Sequence, residues 1–223
     1  MEQKKPEYRL IDQTTWPRRE HFAYYRTQLK CGYSLTGRVD VTVLVNCAQA
    51  RGLRKYGCFL YVISKTVNEM DAMKMMVTAE GEPGIWNEVH PNFTVFHQDD
   101  QTFSDLWTEY HGAFEDFYRG FEQTLKRFGD CHGVKGRPGQ PANFFCTSCV
   151  PWMDYTGYST HSQGEPALFP IIAFGKYTWQ DGRCTMPVTV TISHASADGY
   201  HTSMFFRGLQ ENLNRFPALA DGR

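Results

Sequence analysis

The sequence contains no apolar run long enough to span a membrane, and no apolar stretch follows Lys4 and Lys5, so a signal peptide is not expected. Nor does it carry an excess of one charge: 23 Lys and Arg stand against 24 Asp and Glu in 223 residues, a formal net charge of −1. A dedicated nucleic-acid binder or a polybasic membrane-surface protein has a basic surplus, so neither class is expected. There is no disulfide framework either. The seven cysteines are odd in number and scattered among apolar neighbours, a pattern that points to reduced, packed thiols and a cytoplasmic setting. The one C-x-x-C, Cys146 to Cys149, lacks the second pair of a zinc ribbon. It lies in a strand-like stretch rather than at the helix start a thioredoxin-like site needs. The G-x-G-x-x-G and G-x-x-x-x-G-K-[ST] fingerprints are missing, which removes the usual dinucleotide and nucleoside-triphosphate readings. With no repeat and no long linker, residues 1–223 are expected to form a single domain.

What the chain has in abundance is rings: 16 Phe, 12 Tyr and 5 Trp. Large flat side chains suit cores, subunit interfaces and pockets alike, so composition alone leaves all three open. Periodicity predicts helices over residues 18–30 and 44–53, and another carried by Phe59, Leu60, Ile63, Val67 and Met70. It also predicts a long helix over 104–127 capped by Ser104, and a last one over 200–215. The stretch 33–45 begins with strand-like alternation before handing over to the helix around 44–53, and further strand-like runs fall at 74–78, 84–87, 92–98, 143–149, 168–179 and 184–193, the last two joined by a hairpin turn at Gln180-Asp181-Gly182. Strands and helices mix without strict βαβ alternation. The expected fold class is therefore α/β, a mixed β-sheet covered by helices.

The chemistry is concentrated where the β-branched run Val188 to Ile192 ends in Ser193-His194-Ala195-Ser196-Ala197-Asp198-Gly199. A histidine released at the end of a central strand can face a cleft, and a neutral imidazole can take a proton from a hydroxyl near neutral pH. Asp198 before a glycine reads more naturally as an organiser of the following helix, and if buried it needs a cationic partner. The plainer reading of the same residues is a strand-end histidine and a helix cap. Alternation puts Cys146 and Ser148 on one strand face and Cys149 on the other, which speaks against Cys149 as a nucleophile.

The segment from His194 to His201 resembles the H-x-x-x-D-G-x-H signature of the type A chloramphenicol acetyltransferases. Further resemblances run through the chain in order: Trp16-Pro17-Arg18-Arg19-Glu20-His21-Phe22; Glu88-Val89-His90-Pro91 to Val95-Phe96-His97; Thr102-Phe103-Ser104 to Tyr110-His111; Phe144-Phe145 with Ser148; and Pro151-Trp152 with Gly175-Lys176-Tyr177. The resemblance implies a two-layer α/β sandwich, the fold of the CoA-dependent acyltransferases, and a homotrimer with active sites at subunit interfaces. It implies acetyl-CoA as co-substrate, with no metal and no covalent acyl-enzyme. Transferred by position, His194 would be the general base and Ser148 the donor to the oxyanion. Arg18 and Asp198 would form a buried ion pair, Tyr25, Cys31, Phe103, Thr160 and Ala173 would line the acceptor pocket, and Lys176 and Tyr177 would meet the cofactor. The expected activity is transfer of acetyl to the 3-hydroxyl of chloramphenicol. The alternatives are the same chemistry on another hydroxyl acceptor, or an idle binding protein that sequesters an amphipathic ligand.

Four positions depart from the family pattern. Ser193 stands where a first histidine is usual, Ala173 where many relatives have Thr, and Thr160 where Leu is common, and the 133–141 loop lacks the family's Phe-Pro element. Three of these bear on the acceptor pocket and none removes His194 or Ser148, so acceptor specificity is the property they affect most.

Overall fold

A computed structural model describes residues 6–160 and 164–222. In chain order the elements are β1 (Tyr8–Leu10), α1 (Arg19–Thr27), β2 (Gly32–Asp40), α2 (Thr42–Ala50), α3 (Lys55–Asn68), β3 (Met75–Val77), β4 (Pro83–Trp86), β5 (His90–His97), β6 (Thr102–Trp107), α4 (Phe114–Phe128), β7 (Phe144–Val150), β8 (Ile171–Gly175), β9 (Thr178–Gln180), β10 (Arg183–Ser193), α5 (Gly199–Asn214) and α6 (Phe216–Ala220). A short sheet runs β1-β4-β3, and the main sheet runs β2-β10-β8-β7-β5-β6, with β9 added to β10. β7 is parallel to both β5 and β8, and the other pairings are antiparallel. The expected mixed sheet under a layer of helices is the observed architecture.

The core lies between the sheet and its helices. From the sheet come Phe93, Phe145, Ile172, Phe174, Val188, Val190 and Ile192, and from the helices Phe59, Leu60, Ile63, Phe117, Phe121, Phe205 and Leu209. Much of the ring surplus is placed there, for example where Tyr56 meets Phe93 and Phe121 edge-on with centroids 6.0 Å away in each case.

The opposite sheet face is different in chemistry. Register aligns Thr36, Thr189, Ala173 and Ser148 in one row and Ser34, Thr191, Ile171 and Cys146 in the next. Hydroxyls pair across it, Thr36 with Thr189 and Ser34 with Thr191, each at 2.7 Å. The core helices α3, α4 and α5 pack on the other face, that of Phe93, Phe145 and Val190.

Two predicted elements are corrected. The helix expected over 104–127 is strand β6 followed, after a six-residue connection, by helix α4. Asp100 Oδ1 accepts from the Thr102 N–H at 3.0 Å and its hydroxyl at 2.7 Å, and Gln101 takes a φ of 59°, so a tight turn launches β6 against β5. Ser104 therefore caps no helix; its hydroxyl donates to the Cys131 carbonyl at 2.7 Å. Leu106, Trp107 and Tyr110 continue the helical period of Phe114, Phe117 and Phe121, although they precede α4. The strand expected over 168–179 breaks after Gly175, because the Lys176 N–H leaves the ladder for the Met153 carbonyl at 2.9 Å. A Cβ at Gly175 would lie 2.7 Å from Pro187 and 2.8 Å from Met153 and Tyr155, so only glycine allows the chain through. The predicted hairpin turn is present, with φ of 49° at Asp181 and 78° at Gly182.

Candidate active site

β10 is flanked on both sides, by β2 and β8, and delivers His194 one residue past its end. The loop that follows is folded by its own short polar groups. The Ser193 carbonyl accepts from the N–H groups of Ser196 at 3.0 Å and Ala197 at 3.2 Å, and its hydroxyl accepts from Ala195 at 3.3 Å. Ser196 donates to the Leu168 carbonyl at 2.8 Å. Ser193, the departure from the double histidine, is thus a buried hinge of the loop that carries His194.

Arg18 clamps the same loop from the start of α1. Its Nη groups donate to the carbonyls of His194 at 3.2 Å, Ala195 at 3.2 Å and Ser196. The ion pair expected with Asp198 is present but loose, with Nε 3.7 Å from Oδ2 and a third of the Asp198 side chain exposed. Arg18 serves the loop carbonyls more closely than it serves the carboxylate. Asp198 instead caps α5: Oδ1 accepts from Tyr200 N–H at 3.0 Å, His201 N–H at 3.3 Å and His201 Nδ1 at 2.7 Å. Burial alone would push the Asp198 carboxyl up, but the His201 hydrogen bonds and the neighbouring cations hold it below its ordinary value.

The His194 ring is fixed by stacking. Tyr25 lies parallel to it, centroids 3.9 Å apart and planes at 7°, and Tyr33 approaches at 5.3 Å. The backbone N–H of His194 donates to the Cys31 carbonyl at 3.0 Å. His194 Nδ1 is buried and meets no hydrogen-bond partner among the described residues. Beside this ring opens a cleft of about 770 Å³ whose walls include Cys31, Ser34, Thr160, Thr191 and Ser193. Tyr25 and Cys31 therefore meet His194 directly, and Thr160 shares the neighbouring cleft with Cys31 and Ser193.

Ser148 is elsewhere. It pairs in register with Ala173, and Ala173 with Thr189, whereas His194 lies five residues beyond Thr189 along β10. At about 3.3 Å per residue and about 4.8 Å per strand, the two Cα atoms are roughly 19 Å apart. Phe103 belongs with Ser148, on the same sheet face, paired across β5–β6 with Phe96. Phe96 in turn meets Trp152 edge-on at 4.8 Å. Phe103 is 52 % and Trp152 63 % exposed, an aromatic patch uncovered in one chain.

Lys176 and Tyr177 fall in a third place, an apolar cleft of about 410 Å³ shared with Lys55, Tyr56, Phe59 and Phe174. Lys55 and Tyr56 were not foreseen, because only the packing of α3 against the sheet brings them beside Lys176. Cys149 lines this cleft from the other side of β7 from Ser148. Burial pushes the Cys149 thiol up to about 12, and that of Cys146 up to about 11, so neither offers a thiolate nucleophile at neutral pH. The seven cysteines are all unpaired.

Comparison with known proteins agrees with this architecture. The model of the family described as chloramphenicol acetyltransferase matches residues 6–210. A chloramphenicol acetyltransferase of Clostridium perfringens is 35 % identical over 208 residues, 93 % of this chain and 99 % of the relative. One from Vibrio anguillarum is 34 % identical over 206 residues, 92 % and 94 % of the two chains. Among solved structures, a chloramphenicol acetyltransferase superposes with a TM-score of 0.82 at 21 % identity, over 93 % of this chain and all of the other. The Azotobacter vinelandii dihydrolipoamide acetyltransferase shares the fold at a TM-score of 0.62 and 15 % identity, covering 90 % and 88 %. The chain belongs to the chloramphenicol acetyltransferase family and is an acetyl-CoA-dependent acetyltransferase.

Proposed function

We propose that the protein transfers acetyl from acetyl-CoA to the 3-hydroxyl of chloramphenicol, conferring resistance to the antibiotic, in active sites shared between the subunits of a homotrimer. The observation that carries this reading is the separation of His194 from Ser148. A reacting carbonyl carbon must be within about 3 Å of both the attacking oxygen and the oxyanion donor's reach, and roughly 19 Å cannot meet that within one chain. Two copies can meet it: the His194 end of one chain faces the Ser148 face of the next. The hydroxyl-lined sheet face and the exposed Phe103–Phe96–Trp152 patch supply the surface that such contact would cover.

In that site the His194 imidazole takes the proton of the acceptor hydroxyl while its oxygen attacks the thioester carbonyl carbon. The carbonyl π electrons move to oxygen, and Ser148 Oγ–H donates to the oxyanion as charge develops there. Collapse re-forms the carbonyl and breaks the C–S bond, and the departing CoA sulfur takes the proton from the imidazolium. Tyr25 holds the base, Cys31 and Thr160 wall the acceptor on the His194 side, and Phe103 walls it on the Ser148 side; Ala173, expected there too, is fully buried, its carbonyl accepting from the Tyr155 hydroxyl at 2.9 Å. Lys55 and Lys176 offer cations to the CoA phosphates at the mouth of the apolar cleft, with Tyr177 against the nucleotide. A cytoplasmic location fits the substrate acetyl-CoA. Among the described residues no helix is long and apolar enough to cross a membrane.

The test is release of free CoA thiol from acetyl-CoA with and without chloramphenicol. Chloramphenicol-dependent release is expected, and its absence would refute the acceptor assignment. A second acceptor draws support from one feature, the hydroxyls of Ser34, Ser159, Thr160, Thr191 and Ser193 around the cleft beside His194. A hydroxylated acceptor more polar than chloramphenicol with a higher kcat/KM would favour it.

A further inference from the structure

We propose that His97, Asp99 and His132 form a binding site for a divalent transition-metal ion of the zinc class, separate from the acetyl-transfer chemistry. His97 ends β5, Asp99 lies two residues on in the β5–β6 turn, and His132 sits on the loop after α4, so two distant chain segments meet there. Among the described residues this is a group of three potential ligands whose donor atoms all lie within 4.8 Å of one another. The two imidazoles stack with centroids 4.1 Å apart and planes at 21°.

What separates this cluster from an ordinary surface ion pair is the protonation pattern its neighbours impose. The Ser104 hydroxyl donates its one proton to the Cys131 carbonyl at 2.7 Å, so at 2.8 Å from His97 Nε2 it can only accept. His97 Nε2 therefore carries the hydrogen and Nδ1 keeps the lone pair. Asp100 Oδ2 sits 2.7 Å from His132 Nδ1, and a carboxylate accepts. His132 Nδ1 therefore carries the hydrogen, and in the neutral ring the lone pair is on Nε2, 3.4 Å from Asp99 Oδ2. Both rings are thus held in tautomers with one free donor nitrogen, by a backbone-linked hydroxyl in one case and a carboxylate in the other. Metal-ligating histidines are oriented by the same kinds of partner.

The base of the site is rigid and its rim can adjust. His97 is 6 % exposed, whereas the side chains of His132 and Asp99 are 44 % and 72 % exposed. Tetrahedral Zn²⁺ with ligand distances of about 2.0–2.2 Å needs its donors roughly 3.5 Å apart, a contraction the two exposed side chains can make. Two imidazoles and a carboxylate suit Zn²⁺, Co²⁺, Ni²⁺ or Cu²⁺ and leave one position for water. The carboxylates of Asp99 and Asp100 offset the ion's charge. Occupancy would tie the 130–141 loop to the hairpin that bears Phe103, bracing one wall of the shared site without touching the reacting atoms.

Calorimetric titration of the chelator-treated full chain with Zn²⁺ alone tests the proposal, with the Co²⁺ absorption spectrum reporting ligand type. A single saturable equivalent with a nitrogen–oxygen Co²⁺ spectrum is expected, lost in His132→Ala and in Asp99→Asn but kept in His21→Ala. Asp100→Asn, which removes the orienting charge on His132 but keeps an Oδ1 acceptor for the Thr102 turn, should weaken uptake about 10- to 100-fold. Uptake equal in the native chain and His132→Ala, a thiolate-type Co²⁺ spectrum, or no saturable uptake would each overturn it.

Discussion

The His194 imidazole lies flat on the phenol ring of Tyr25, centroids 3.9 Å apart and planes 7° from parallel. The contact joins the end of the central strand to the first helix, and it fixes the plane in which the base presents its nitrogen. Tyr25 was expected in an acceptor wall. Under the proposed mechanism its stacking makes it a positioning residue for His194 as well.

A stacked aromatic pair contributes about 0.5–1.5 kcal/mol. Tyr25→Ala should therefore lower kcat roughly fivefold, while Tyr25→Phe, which keeps the ring, stays near the native value. Steady-state kinetics on both variants checks this. Equal losses in the two would assign the effect to the hydroxyl and contradict the stacking role.

Arg18 should matter for stability more than its distance from the substrate suggests, because its Nη groups hold three consecutive carbonyls of the His194 loop. Hydrogen bonds to charged groups contribute about 1.5–3 kcal/mol each, and the exposed ones less. Arg18→Met is expected to cost about 3 kcal/mol in urea unfolding, with Arg18→Lys recovering only part of it, since an ammonium lacks the planar fork. A loss below about 1 kcal/mol would show that the clamp contributes little.

His90 gives a pH signature. It is half-buried beside Trp107 and Glu109, its Nδ1 accepts the Tyr110 N–H at 3.0 Å, and desolvation pushes its pKa from 6.5 down to about 4. A depressed histidine is neutral in the folded chain while the unfolded chain binds the proton. Stability is then intact above about pH 6.5 and falls as pH drops toward 4, at about 1.4 kcal/mol per pH unit when one proton is involved. His90→Asn, which keeps an acceptor but cannot titrate, should remove that slope from unfolding free energies measured across the window. An unchanged slope would place the titration elsewhere.

How much of this was legible in the sequence depended on whether the controlling contacts were local. The run Val188 to Ile192 ending at His194 announced both a central strand and a histidine released at its end, because β-branching and the abrupt change to small residues are adjacent in the chain. The Gln180-Asp181-Gly182 turn was equally local. By contrast, the β6 stretch reads as helix because Leu106, Trp107 and Tyr110 run on into the helical stripe of Phe114, Phe117 and Phe121. Only the Asp100–Thr102 turn and the pairing with β5 make it a strand. The Arg18 clamp on backbone carbonyls has no side-chain signature at its receiving end. Lys55 joins Lys176 only through tertiary packing, 121 residues apart in the chain.

Thr160 lines the cleft next to the His194 loop, at a position where the family resemblance implies an apolar Leu. Replacing a polar wall with an apolar one of similar reach is worth about 1–3 kcal/mol for a flat apolar acceptor. Thr160→Leu should accordingly lower KM for chloramphenicol roughly tenfold or more with kcat little changed. An unchanged or raised KM would remove Thr160 from the acceptor wall.

The central claim is that His194 of one chain works with Ser148 of another, and mixing two inactive variants tests it most directly. His194→Ala and Ser148→Ala homo-oligomers should each lose about 100-fold or more in kcat, from the missing base and the missing oxyanion donor. Hetero-oligomers refolded from equal amounts of the two should regain full activity in roughly a quarter of their sites, those that pair an intact His194 with an intact Ser148 across a boundary. Mixed oligomers that form but stay as inactive as their parents would contradict the shared site.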